Sequence, residues 1–155
     1  MLEAREALSQ HQETLEALTV DPVQQGFVAS NAKTFRQWPH EKGAEVFGLW
    51  DGSIAVGLMA CIDLRKSDEL TPEDDPETAY LWRLMIAKGQ QRKGYGRAAL
   101  ALFENWASAR GLVRLETSVV PGNTAARKLY TSFGFLPTGR VMEGEDVLIR
   151  PAASG

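Results

Sequence analysis

The 155-residue sequence predicts one α/β domain: a mixed, mostly antiparallel twisted sheet of about six to seven strands, flanked by about four helices. Three observations carry that expectation. Short apolar segments alternate with period two over much of the chain, an apolar run at 80–86 passes through a glycine-bearing polar loop into an amphipathic stretch at 95–110, and a second strand-then-helix pattern follows at 112–120 and 123–133. With 44% apolar residues the chain can bury one substantial core but is short for two ordinary domains.

Residues 1–12 mix Glu3, Arg5, Glu6 and Gln10 into every apolar run, so they are expected as a flexible or helical lead to a domain spanning 13–150. Thr14 to Val20 is the first expected strand. Asp21-Pro22 then offers an N-cap before a proline, with Gln24 at the capping-box distance and Val23, Phe27, Phe35 and Trp38 on one face. A helix over about 22–38, with room for a break midway, is the expectation. Val46–Trp50, the turn at Asp51-Gly52, and the alternation of Ile54, Val56, Leu58, Ala60 and Ile62 read as an antiparallel hairpin.

Between Arg65 and Thr78 stand Asp68, Glu69, Glu73, Asp74, Asp75 and Glu77, with no basic residue after Lys66, which reads as an exposed, mobile loop. Tyr80–Ile86 is a dense apolar run around Arg83 and suits a central strand covered on both faces. From Tyr95 to Arg110, Ala99, Leu102, Phe103, Trp106 and Ala109 recur at helical spacing, and Gly111 stands at the C-terminal cap. Leu112–Val120 alternates again, and Asn123–Phe133 is a short helix closed by Gly134. Two weak strands are expected at 137–141 and 146–149, then a loose tail at 151–155.

A formal charge of −3 gives no general attraction for nucleic acid or an anionic membrane surface, so small or cationic partners fit better. Cys61 is the only cysteine, which excludes an internal disulfide, paired-cysteine zinc ligation and a Cys-x-x-Cys motif; no metal is expected. Nothing at the start resembles a signal peptide and no run approaches ~18 apolar residues, so a cytoplasmic protein, neither exported nor membrane-spanning, is expected.

The chemistry concentrates in Gln91-Arg92-Lys93-Gly94-Tyr95-Gly96. Glycines let backbone approach a diphosphate, the first N–H groups of the following helix lack intrahelical partners, and the helix dipole adds to their pull. Arg92, Lys93 and Arg97 add cationic charge. Gly94-Tyr95-Gly96-Arg97-Ala98-Ala99 also satisfies a dinucleotide fingerprint, with Glu116 downstream. Against that reading, polar residues Lys88–Lys93 separate strand from glycine, and only about 60 residues remain for another half-fold.

Gln91-x-x-Gly94-x-Gly96 resembles the acyl-CoA loop of the GNAT acetyltransferase superfamily, and Asn123-Thr-Ala-Ala-Arg-Lys-Leu-Tyr130-x-x-Phe-Gly134-Phe135 resembles its second signature. Upstream, Val20–Asn31 and Trp82-Arg83-Leu84-Met85-Ile86 look like the bacterial spermidine/spermine acetyltransferase branch, so the likeness spans roughly 14–136; the acidic loop 65–78 departs from that branch. The resemblance implies a splay between the two central strands and acetyl-CoA as co-substrate. It also implies direct acetyl transfer to a primary amine of a small, cationic acceptor, a polyamine such as spermidine or spermine among the candidates.

By the same resemblance, backbone at Leu84, Met85 and Ile86 would orient the thioester, with an amide near Met85 or Ile86 as oxyanion donor. Gln91, Arg92, Lys93, Gly94, Tyr95, Gly96 and Arg97 would hold the pyrophosphate, and Asn123 and Arg127 would complete the cofactor site. Tyr130, two helical turns from Asn123, is the general-acid candidate. For an amine of pKa around 10.4 a base or water relay is useful near neutrality, and Glu116 is the candidate base, its alternative being a strand-edge carboxylate paired with Arg114 or solvent. The acidic loop either recruits a polycation or is only solvated, Cys61 reads as core packing, and His11 and His40 have no recognisable partner. The resemblance also admits a homodimer. Two other functions stay open: a non-catalytic acyl-CoA-binding module, and transfer to a protein or peptide amine.

Overall fold

The computed structural model describes residues 1–152. In it, hydrogen bonding joins β1 (Leu2–Glu6), β2 (Ala44–Asp51), β3 (Ile54–Asp63), β4 (Thr78–Ile86), β5 (Arg114–Val119), β6 (Leu136–Met142) and β7 (Glu145–Pro151) into one sheet. The strand order is β1-β2-β3-β4-β5-β7-β6, and every neighbouring pair is antiparallel except β4–β5. Four helices accompany it: α1 (Gln12–Glu16), α2 (Asn31–Gln37), α3 (Tyr95–Ala109) and α4 (Thr124–Ser132). The mixed seven-stranded domain expected from the sequence is therefore present.

Strand alternation sorts the core into two layers. Met59, Leu81, Leu84, Ile86 and Leu115 face α3 and α4, where Leu100, Phe103, Tyr130 and Phe135 meet them. Val46, Leu58, Ala60 and Met85 face the other way, toward Leu15 of α1 and Phe35 of α2. From Val56 to Asp63 every residue of β3 is buried, because this strand lies inside the sheet with helices over both faces. Helix α3 ends as its sequence demands: Gly111 N–H donates to Ser108 O at 3.0 Å and Leu112 N–H to Ala107 O at 3.0 Å.

Four expectations are corrected. The lead is not a flexible or helical segment throughout: Leu2–Glu6 pairs with Phe47–Asp51 as β1, and only Ser9–His11 turns as a 3₁₀ helix before α1 begins at Gln12. Leu2 is buried and Ala4 packs on the same core, while Glu3 and Arg5 pair with each other; the charges of an edge strand hid its alternation. Thr14–Val20 is not a strand; Leu15 sits in α1, fully buried, and its carbonyl accepts from Asn31 Nδ2 at 2.8 Å. The helix over 22–38 shrinks to a 3₁₀ turn at Pro22–Gln24 and then α2, whose cap is Ser30, accepting from Lys33 N–H at 3.1 Å, not Asp21. Pro151 of the expected tail closes β7 opposite Arg114, and residues 153–155 lie outside the described residues.

The acidic segment is largely exposed, yet it is pinned at Asp74, which accepts from Thr71 N–H at 2.8 Å and from Arg140 Nη2 at 3.1 Å. Asp75 meets Arg114 at 3.0 Å, so the loop is tied to both β5 and β6. Among the described residues, no helix is long and apolar enough to cross a membrane.

Candidate functional site

The site begins with a defect in the sheet. β4 and β5 pair only from Thr78↔Arg114 to Leu81↔Thr117, after which β4 runs on to Ile86 against β3 alone. The β3–β4 register shifts so that Cys61 faces Leu81 while Ala60 faces Arg83, leaving Trp82 as an extra residue. This bulge lies at the last β4–β5 rung, and beyond it the two strands splay apart.

Ala87 N–H donates to Val56 O at 2.8 Å, which fixes the direction of the backbone groups before it. Alternation then aims Met85 N–H at β3 and the N–H groups of Leu84 and Ile86 into the opening. The donors that face the splay are thus Leu84 and Ile86, a correction to an oxyanion role for Met85. Gly57 holds this register: a Cβ there would stand 2.2 Å from Met85 O. Gly57→Ala is expected to force β3 from β4 and to lower stability by about 1–3 kcal/mol, read from the denaturation midpoint.

At the mouth of the splay the loop turns into α3. Gln91 Nε2 donates to Ile86 O at 3.0 Å and to Gln24 Oε1 at 2.8 Å, so this side chain builds the loop. Gly94 has φ +81°, a left-handed geometry suited to glycine, and the first helical bond is from Ala98 N–H to Gly94 O at 3.1 Å. The N–H groups of Tyr95, Gly96 and Arg97 therefore open the helix with no intrahelical acceptor. Arg92 and Lys93 are exposed beside them.

Several side chains expected around the cofactor are engaged inside the protein. Tyr95 donates its hydroxyl proton to Asp51 Oδ2 at 2.7 Å, away from the loop. Arg97 bonds Ser132 O at 3.3 Å and stacks on the Phe133 ring, locking α3 to α4. Asn123 caps α4 by accepting from Ala126 N–H at 3.2 Å, and Arg127 is paired with Asp146 of β7.

Tyr130 lies at the apex of the splay on the α3/α4 side. Its ring is 8% exposed and packs edge-on against Phe135, with centroids 5.8 Å apart. Thr117 stands beside its hydroxyl and donates to Leu81 O at 3.2 Å, on the last paired rung. Burial pushes the Tyr130 hydroxyl up to about 12, against a smaller opposing effect of Thr117.

On the opposite face, the same apex opens into a cleft of about 520 Å³. Tyr80, Trp82 and Arg83 of β4 and Glu116 and Ser118 of β5 form its floor, with Glu145 of β7 at the rim. Burial raises the Glu116 carboxyl, opposed by Arg140, whose Nη1 is 3.7 Å away, and reinforced by Asp74. Arg114 pairs instead with Asp75. Glu41 is also raised, by burial and then by Glu69, because carboxylates gather at the α2 end of the cleft. The acidic loop contributes Ser67, Glu69, Leu70 and Asp74 to the walls.

Sequence reasoning missed Tyr80, Ser118 and Glu145. Period-two alternation puts Ser118 on the same face as Glu116, and the register puts Tyr80 opposite Glu116, so two were within reach. Glu145 is brought in by β7 alone. His40 lines the cleft, His11 stacks edge-on against Trp50, and Cys61 is fully buried in the core.

A sheet split beside a glycine-opened helix, with a buried tyrosine at the apex and a carboxylate-lined cleft behind it, leaves the edge of β4 free beyond its last rung with β5. The profile of the acetyltransferase (GNAT) family matches residues 10–135, and the chain belongs to that family. An uncharacterized N-acetyltransferase, YycN, of Bacillus subtilis (strain 168) is 34% identical over 71 residues, 46% of each chain. L-2,4-Diaminobutyric acid acetyltransferase of Streptomyces coelicolor is 33% identical over 61 residues, 39% of this chain and 36% of its own. The chain thus spans less than half the length of these two relatives. Among solved structures, aminoglycoside acetyltransferase AAC(6′)-Ib with coenzyme A superposes with TM-score 0.81 at 16% identity, covering 97% of this chain and 95% of that one. Spermidine N-acetyltransferase from Vibrio cholerae with coenzyme A and spermine gives 0.73 at 17% identity, over 97% and 95%.

Proposed function

We propose that this protein is an N-acetyltransferase that moves an acetyl group directly from acetyl-CoA to a primary amine of a small, cationic acceptor. One observation carries the reading: the β4–β5 apex presents a buried tyrosine hydroxyl on one face and a carboxylate-lined cleft on the other. Backbone N–H groups of Gly94, Tyr95, Gly96 and Arg97, with the exposed Arg92 and Lys93, hold the pyrophosphate. Acetyl-CoA supplies the activated acyl group; Leu84 and Ile86 meet its pantetheine arm and carbonyl through their N–H groups. The side chains of Gln91, Asn123 and Arg127 support the site by shaping the loop and α4.

Tyr130 serves the departing sulfur. Because burial pushes its hydroxyl up to about 12, above the ~8.5 of a free thiol, it keeps its proton and donates a hydrogen bond as negative charge develops. Glu116 faces the acceptor: a carboxylate raised by burial is stabilised when an ammonium enters beside it. Carboxylates line the cleft in two groups, Glu41 with Glu69 and Glu116 with Asp74, and favour an acceptor with two or more ammonium groups. The spermine and diaminobutyrate named for the relatives share that feature.

A coenzyme A release assay tests this with spermidine, spermine, 2,4-diaminobutyrate, kanamycin and a monoamine. The polycations are expected to exceed the monoamine in kcat/KM by at least about tenfold, with an advantage that shrinks as salt rises. Preference for the monoamine removes the polycation assignment. Tight acetyl-CoA binding without turnover of any amine favours a non-catalytic binding module instead.

A further inference from the structure

The cleft contains a hydrogen-bonded chain that the family signatures do not contain. Tyr80 Oη and Ser118 Oγ are 2.7 Å apart, and Ser118 Oγ is 2.9 Å from Glu145 Oε1. An ionised carboxylate only accepts, so the single Ser118 hydroxyl proton is directed to Glu145, and Tyr80 must then donate to Ser118. Ser118 Oγ is left with one lone pair. Tyr80 and Ser118 line the cleft floor with Glu116, on the face opposite Tyr130, and Ser118 is the first β5 residue beyond the last β4–β5 rung.

We propose that Ser118 receives a proton from the acceptor's ammonium and passes its own to Glu145, with Tyr80 positioning the Ser118 hydroxyl. This rests on the acetyltransferase reading above. The ammonium N–H bonds the free lone pair of Ser118; that proton moves to Oγ as the original hydroxyl proton moves to the Glu145 carboxylate. The neutral amine nitrogen then forms its bond to the thioester carbon, and the C–S bond breaks. The second nitrogen proton goes to the thiolate, which leaves as coenzyme A thiol. Glu145 is half-buried at the hairpin Met142–Glu145, so it returns its proton to solvent.

Two features separate this chain from Glu116 as the base. Glu116 is 5% exposed with Arg140 as counter-ion, and Arg140 also binds Asp74 and Glu73, so that carboxylate anchors the acidic loop to the sheet. Glu145 has only hydroxyls between it and the apex. The charged and titratable groups set around Tyr80, Ser118 and Glu145 are Arg83 of β4, Glu116 of β5, Glu143 of the hairpin and Glu41 beyond α2, and Arg36, His40, Glu69 and Asp74 line the same cleft. Burial raises the Tyr80 hydroxyl, and the nearby carboxylates Glu145 and Glu116 add to this while Ser118 opposes it, so Tyr80 holds its proton throughout the working range.

Ser118→Ala, Ser118→Thr, Glu145→Gln and Glu116→Gln are compared on the full chain. Amine affinity is measured by calorimetry in the presence of coenzyme A, and kcat and kcat/KM are measured from about pH 6 to about pH 10. Ser118→Ala is expected to lower kcat about 100-fold while the amine Kd stays within about threefold, because no charge is removed; Ser118→Thr keeps the hydroxyl and recovers most of the rate. In Glu145→Gln, kcat/KM is expected to climb about tenfold per pH unit toward the amine's own pKa, since only pre-deprotonated amine reacts. If wild type and Ser118→Ala share kcat and pH profile, or if Glu116→Gln alone yields the steep profile, the relay is wrong while the enzyme reading stands. If wild type binds amine but releases no coenzyme A, both fall together.

Discussion

Tyr130→Phe is expected to lower kcat about 100-fold and to leave the acetyl-CoA Kd unchanged, a loss of about 2.7 kcal/mol of transition-state stabilisation. The substitution removes one oxygen from a ring whose packing on Phe135 stays, so the fold should not register it. The hydroxyl neighbours Thr117, which also donates to Leu81 O, and this pair marks the last joined rung before β4 and β5 separate. A group at that apex reaches whatever lies between the strands. The pH dependence distinguishes two ways of acting. A hydroxyl raised to about 12 stays protonated below pH ~10, so a hydrogen-bond donor costs the variant the same factor at every pH in that range. A titrating acid would instead give wild type an alkaline limb that the variant lacks. A loss of less than about threefold, or one confined to KM, would return Tyr130 to a packing role.

The same linkage sets a stability expectation. A tyrosine raised in the folded state contributes stability that is intact below its unfolded value near 10 and lost as pH rises through about 12. Wild type should therefore lose stability faster than Tyr130→Phe in that window, as a denaturant series at alkaline pH would show. Tyr80, also raised by burial, supplies a parallel slope in both proteins and cancels from the difference.

How far the sequence could be read depended on whether a feature is local. The cofactor loop is one continuous segment in which Gly94 must adopt φ +81° and α3 must begin, so residues 91–97 carry its geometry with them. Helix α3 and the β2–β3 hairpin were legible for the same reason: their periodicities run over whole elements. The N-terminal third was not. β1 is an edge strand whose pairing with β2 lies more than forty residues away, and its Glu3 and Arg5 mask an inward face of only Leu2 and Ala4. The cleft resisted most, because its walls come from α2, the acidic loop, β4, β5 and the β6–β7 hairpin. Glu116 could be singled out on β5, yet its counter-ion Arg140 arrives from β6 and its companion Glu145 from β7. Asp74 would have been counted as one more solvated carboxylate had Arg140 not bound it.

Gly96→Glu is expected to raise the coenzyme A Kd at least 100-fold without unfolding the protein. Gly96 lies in the first turn of α3, where its N–H has no intrahelical acceptor and the helix dipole is positive. A carboxylate at that end favours the helix itself, so the unliganded variant should keep its stability. The same carboxylate repels a pyrophosphate from the N–H groups that would receive it. Space alone does not explain the loss: a Cβ at Gly96 would stand 3.0 Å from Leu129 Cδ2, the movable end of a side chain, so Gly96→Ala is expected to bind within a few-fold of wild type. Ligand-linked stability reads the difference. At a coenzyme A concentration 100 times the wild-type Kd, wild type gains about 2.7 kcal/mol; a variant with a 100-fold higher Kd gains only about 0.4 kcal/mol. Equal gains in wild type and Gly96→Glu would move the pyrophosphate away from α3, whereas equal losses in Gly96→Ala and Gly96→Glu would make helix packing on Leu129, and not charge, the controlling term.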